Sequence, residues 1–120
     1  MTLDWLAFAY TEDEDGNGSF DALASASPAQ LPALQAEIVR VLEWAQRSFP
    51  GAQAPLDEGG EWDVELQGVQ EVPTPLDVSY ADGELRLRPR EAGEPRVTLT
   101  VTLTGTPMFC AAFRAAFGLD

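Results

Sequence analysis

Residues 76–89 read LDVSYADGELRLRP. At their centre, Asp82-Gly83 suits a two-residue type I′ turn, whose positive φ values match the twist of paired strands. That turn fixes a register. Tyr80 falls opposite Leu85 and Val78 opposite Leu87 on one face, while Ser79 falls opposite Arg86 and Asp77 opposite Arg88 on the other. The apolar face is expected to point inward, and the face of cross-strand charge pairs to be wet.

On the C-terminal side, EAGEP (91–95) turns the chain again. RVTLTVTLT (96–104) then sets Val97, Leu99, Val101 and Leu103 against a row of Thr. This strand is expected to pair with the one before it, through an odd-length connection or a bulge that keeps its apolar face from being flipped. On the N-terminal side, VPTP (72–75) interrupts. EWDVELQ (61–67) alternates Trp62, Val64 and Leu66 with Glu61, Asp63, Glu65 and Gln67, which is the pattern of a strand with one buried face.

The period changes to 3.6 in two places. SPAQ (27–30) reads as a helix start, with Ser27 as N-cap, Pro28 in the first helical position and Gln30 closing a capping box. Leu31, Leu34, Ile38, Val41 and Ala45 then recur at helical spacing, so a helix is predicted over 28–48, ending before Pro50. Pro32 lies where its missing N–H has no intrahelical partner to lose. Near the C-terminus, Thr106 caps, Pro107 starts, Phe109, Phe113 and Phe117 form one stripe, and Gly118 stops a second helix. LDWLAFAYT (3–11) is apolar on both parities and aromatic, and reads as a strand in the middle of a sheet or at an edge covered by a second subunit. Residues 12–26 are acidic and then small, and read as loop.

These elements run β-α-β-β-β-β-α over one domain, residues 1–120. The expected fold class is α+β, a two-layer sandwich with four to five mostly antiparallel strands packed against two helices.

Charge narrows the function. Twenty Asp and Glu face seven Arg, with no Lys and no His, for a net charge of −13. A surplus of that size opposes direct contact with nucleic-acid phosphates or anionic lipid, and suits a basic protein partner. One cysteine, Cys110, excludes an intrachain disulfide and fits a reducing compartment. No stretch is long enough to span a membrane and no secretory signal opens the chain, so a cytoplasmic location is expected.

Catalytic equipment is sparse. A reactive Cys, Ser or Thr needs a base, and there is neither His nor Lys to serve. The carboxylates fall on faces expected to be exposed, whereas acid–base work needs two in a cleft with separated pKa values. No phosphate loop, dinucleotide motif or zinc spacing occurs. The expectation is therefore a protein that is not an enzyme and has no resident cofactor.

Two binding readings remain. DEDGNGSFD (13–21) resembles an EF-hand calcium loop over nine residues: Asp13, Asp15, Asn17 and Asp21 stand at ligand positions and Gly18 at the turn. The resemblance implies a weak calcium site, because Ala24 replaces the bidentate Glu and no second loop is available to pair with it. The other reading, preferred here, places a basic partner on Glu61, Asp63 and Glu65, an acidic row on one strand face. Trp44 and Trp62 suit the core at least as well as an interface. Whether the chain acts as monomer or homodimer is open at this point.

Overall fold

The computed structural model describes residues 1–119. The fold is α+β, with an antiparallel four-stranded sheet, a separate two-stranded ribbon and two helices among the described residues. Strand β1 spans Ala9–Glu12, β2 Gly18–Ala26, β3 Trp62–Glu71, β4 Leu76–Ala81, β5 Glu84–Pro89 and β6 Arg96–Gly105. Helix α1 spans Leu31–Ser48 and α2 Pro107–Phe117. The order in the sheet is β1-β2-β6-β3, so the last strand in sequence is paired on both sides.

Three expectations need correction. Residues 12–26 are not a loop: they close a hairpin and then form β2, with Phe20, Ala22, Ala24 and Ala26 buried on its inner face. The strand predicted over residues 3–11 is a four-residue edge strand, and residues 3–8 cross the core instead, with Leu6 buried and Leu3, Trp5 and Phe8 packed beside it. That crossing explains their two-sided apolarity. Finally, β6 does not pair with β5. It pairs with β2 (Phe20 opposite Leu103, Ala22 opposite Val101) and with β3 (Val64 opposite Leu103, Leu66 opposite Val101).

Both helices and residues 3–8 lie on the inner face. Helix α1 buries Leu34, Ile38, Val41 and Ala45. Its α-helical run begins at Leu31, so Gln30 and not Ser27 is the N-cap and Pro32 rather than Pro28 lies in the first turn; Gln30 Oε1 accepts from Ser27 N–H at 3.1 Å across the turn that precedes the helix. Helix α2 matches its sequence reading. Thr106 Oγ1 accepts from Phe109 N–H, and Gly118 takes φ 65° as the left-handed cap. The Phe stripe meets Trp44 from α1, with ring centroids 5.6–5.9 Å away, and Trp62 stacks on Phe109 at 5.8 Å. Both tryptophans belong to the aromatic core.

A buried carboxylate holds the N-terminal segment. Glu37, 3% exposed, lies on the core side of α1 and accepts from the N–H groups of Asp4 (2.6 Å), Trp5 (2.9 Å) and Leu6 (2.7 Å). Arg40 lies 3.6 Å from it and donates to Thr2 O at 2.9 Å.

The hairpin of residues 76–89 has the register its turn dictates, Tyr80 opposite Leu85 and Val78 opposite Leu87, and Asp82 takes φ 53°. Its surroundings are not those expected. It is an arm, continuing β3 and β6 beyond the end of the sheet. At its root the prolines of VPTP break the ladder, and two bonds bridge the break, Arg90 N–H to Pro75 O at 2.8 Å and Gly93 N–H to Pro73 O at 2.7 Å. The molecule measures 65 × 32 × 26 Å, with a radius of gyration of 19.9 Å. A compact chain of this length has a radius of about 14 Å.

Candidate protein-interaction surface

The arm is amphipathic with nothing on its apolar face. Leu76, Val78, Tyr80, Leu85 and Leu87 form one continuous stripe and are 47%, 60%, 75%, 63% and 57% exposed. The prediction that this stripe points inward is overturned, because the strand that should have brought it to the sheet, β6, pairs elsewhere. An isolated two-stranded hairpin is marginal in water, and exposed apolar patches of this kind mark interaction sites. The opposite face carries Asp77, Arg86 and Arg88, which were expected on the outer face of the main sheet. The ion pairs formed are Arg86 to Glu84 at 3.4 Å and Arg90 to Asp77 at 3.7 Å, both well exposed and so weakly stabilising.

A second uncovered apolar feature lies at the root of the arm. Beyond α1 the inner sheet face is left partly open, forming a groove of about 420 Å³ between Val39 and Leu42 of α1 and Leu66, Gly68 and Leu99 of the sheet. Gly68 supplies depth, since a Cβ there would stand 3.0 Å from Leu99 Cδ2. Val39 and Leu66 are 51% and 54% exposed. β3 flanks the groove as an edge strand.

The predicted acidic row is only partly assembled. Glu61 precedes β3 and is half-buried, accepting from Thr106 Oγ1 at 3.4 Å. Asp63 and Glu65 do share the outer face, with Asp63 Oδ1 accepting from Val64 N–H at 2.9 Å. Asp21, a residue of the calcium reading, joins them from β2. Thr102 on β6 lies opposite both Asp21 and Glu65, and its hydroxyl donates to Asp21 at 2.7 Å. The outer face is thus a Thr-paved surface bearing Asp21, Asp63 and Glu65.

The calcium loop is taken apart by the same register. Asp13 Oδ1 accepts from the N–H groups of Asp15 (2.9 Å) and Asn17 (3.0 Å), tying the β1–β2 turn to itself, with Gly16 at φ 82°. Asp21 is on the sheet, Phe20 in the core and Ala24 inside β2. Among the described residues, no group of three or more His, Cys, Asp or Glu is placed to hold a metal ion. A cleft of about 630 Å³ beside the turn is lined by Glu12, Asp13 and Asp57 together with neutral groups.

Cys110 is 2% exposed, and its Sγ donates to Gly105 O at 3.4 Å. Burial pushes the thiol above its ordinary pKa, the reverse of what a nucleophile needs. Burial also raises Tyr10, whose ring lies beneath the Arg114 guanidinium at 4.9 Å. Among the described residues, no helix is long and apolar enough to cross a membrane.

Sequence reasoning missed the arm stripe as a surface, although it had placed Val78, Tyr80, Leu85 and Leu87 together on one apolar face. It also missed Glu37, whose signal was a carboxylate three residues after Leu34 and four before Val41, in the middle of an apolar helix face. No family model, no curated protein and no solved structure matches this chain, so the case for its surface rests on the residues just described.

Proposed function

We propose that this protein is a non-catalytic protein-binding module of the reducing cytoplasm, and that it docks through its β-arm. The observation that carries the reading is the stripe of Leu76, Val78, Tyr80, Leu85 and Leu87, which the fold extends into water and leaves bare. A non-catalytic role is supported by the lack of His and Lys, by the buried thiol of Cys110 and by the use of Glu37 as a backbone acceptor. The single buried cysteine supports the location.

A second reading keeps the basic partner, on the observation that Asp21, Asp63 and Glu65 share the outer face. The two readings separate by salt and by substitution. A partner held on the arm stays bound at about 1 M salt, where exposed charge pairs are screened, and is lost from Val78→Asp with Leu87→Asp. In affinity capture, a partner washed off by salt and by Asp63→Asn with Glu65→Gln, yet indifferent to the arm changes, would move the site to the acidic face.

A further inference from the structure

We infer that the partner of the arm is a second copy of this chain, each arm lying in the groove between α1 and β3 of the other. The inference rests on the arm being a docking element, and adds its occupant.

Direction argues first. β3 carries the chain past Gly68 and on to Glu71, and the arm continues outward from there. Its six residue pairs span about 20 Å at roughly 3.3 Å per residue, pointing away from the groove of its own chain. A groove of the same character on a second copy is reached when a two-fold axis passes near the arm root. Such a contact is closed and satisfies both uncovered apolar features of both chains at once.

Area argues second. An aliphatic side chain offers roughly 60–120 Å² of apolar surface and an aromatic one about 150–250 Å². Scaled by the exposed fractions, the arm stripe leaves on the order of 400 Å² bare, and Val39 and Leu66 with the groove floor on the order of 200 Å². Arm against arm would bury about 800 Å² in total, below what stable interfaces use. Arm in groove, made twice, buries about 1,200 Å², where standard-sized interfaces begin. An interface of that size sits at the lower end of specific association, so the dimer is to be sought up to high micromolar concentration.

Charge supplies a distinguishing sign. Each copy carries −13, so the two repel, and added salt should tighten the dimer rather than loosen it.

Sedimentation of the full chain from about 5 to 200 µM tests this. The expected result is a monomer–dimer equilibrium that shifts toward dimer between about 50 and 500 mM salt. Tyr80→Asp with Leu87→Asp on the arm, and Val39→Glu with Leu66→Glu at the groove, should each weaken it at least tenfold, with circular dichroism confirming that both variants stay folded. Mixing Leu87→Cys chains with Val39→Cys chains under oxidation should yield the mixed disulfide. A dimer that ignores the groove substitutions overturns the inference in favour of arm on arm. A monomer at 200 µM in 500 mM salt overturns it outright. In that case, capture of a different protein that depends on Tyr80 and Leu87 leaves the docking role of the arm standing, and absence of any arm-dependent capture removes both.

Discussion

Replacing Glu37 by Gln should cost the fold several degrees of melting temperature, and the loss should begin at residues 4–6. The carboxylate accepts three backbone N–H groups at 2.6–2.9 Å from inside the protein. Bonds to a charged acceptor contribute about 1.5–3 kcal/mol each, although bonds that share one acceptor do not add fully. Gln can keep its one oxygen at the Oε2 position, where Trp5 and Leu6 donate, and must then turn its NH2 toward Asp4 N–H, a donor facing a donor. Asp4 is exposed and can rehydrate its N–H, whereas the bonds to Trp5 and to buried Leu6 weaken because their acceptor is no longer charged, so the net cost is about 2–3 kcal/mol. For a chain of this size that lowers the melting temperature by roughly 6–12 °C. Glu37→Ala should cost more, because no acceptor is left. Thermal unfolding by circular dichroism gives the global number, and amide hydrogen exchange at Leu6 gives the local one. If Glu37→Gln melts within a degree of the parent and the Leu6 amide exchanges no faster, the clamp contributes nothing and the argument is wrong.

Three further outcomes are expected. Cys110 should react with a thiol reagent at least a hundredfold more slowly in the native protein than in denaturant; because burial holds its proton, the unfolded thiol ionises first, so native stability should fall as pH rises above about 9 in urea titrations. Gly18→Ala should destabilise by about 1–3 kcal/mol, since its Cβ would meet the Tyr10 ring and come within 2.7 Å of Cys110 Sγ, and chemical denaturation would show it. Asp13→Ala should loosen the β1–β2 turn by about 1 kcal/mol through loss of two hydrogen bonds, while millimolar Ca²⁺ should leave the melting temperature of the parent unchanged; a calcium-dependent rise abolished by Asp15→Ala would reinstate the metal reading.

What could be read from the sequence was what short-range chemistry decides. Asp82-Gly83 fixed the arm register residue by residue, and Thr106, Pro107 and Gly118 bounded α2. What could not be read was which strand lies beside which. Alternation in residues 76–89 shows that one face is apolar, but covering it depends on a neighbour, and β6 is claimed by β2 and β3. β2 itself was hidden by its alanines. Ala22, Ala24 and Ala26 alternate correctly with Asp21, Leu23 and Ser25, yet alanine is depleted in strands and the run looked like a linker. Asp21, Asp63 and Glu65 came together on one surface only once β6 was placed between their strands. The letters of the calcium resemblance fall on two different elements: Asp13, Asp15 and Asn17 in the β1–β2 turn, where Asp13 accepts two turn N–H groups, and Asp21 on β2, where Thr102 donates to it.

The central position of β6 sets a schedule for synthesis. During translation β2 emerges well before β6: the partner of Ala26, Val97, is made some seventy residues later. Until Gly105 has left the ribosome, the sheet has no middle, and the inner faces of β2 and β3 have nothing to close upon. Pairings so distant along the chain form slowly. A nascent copy therefore carries β2, α1 and β3 as an open assembly of strand and helix, exposed to aggregation, until β6 has been made and can enter between its two neighbours.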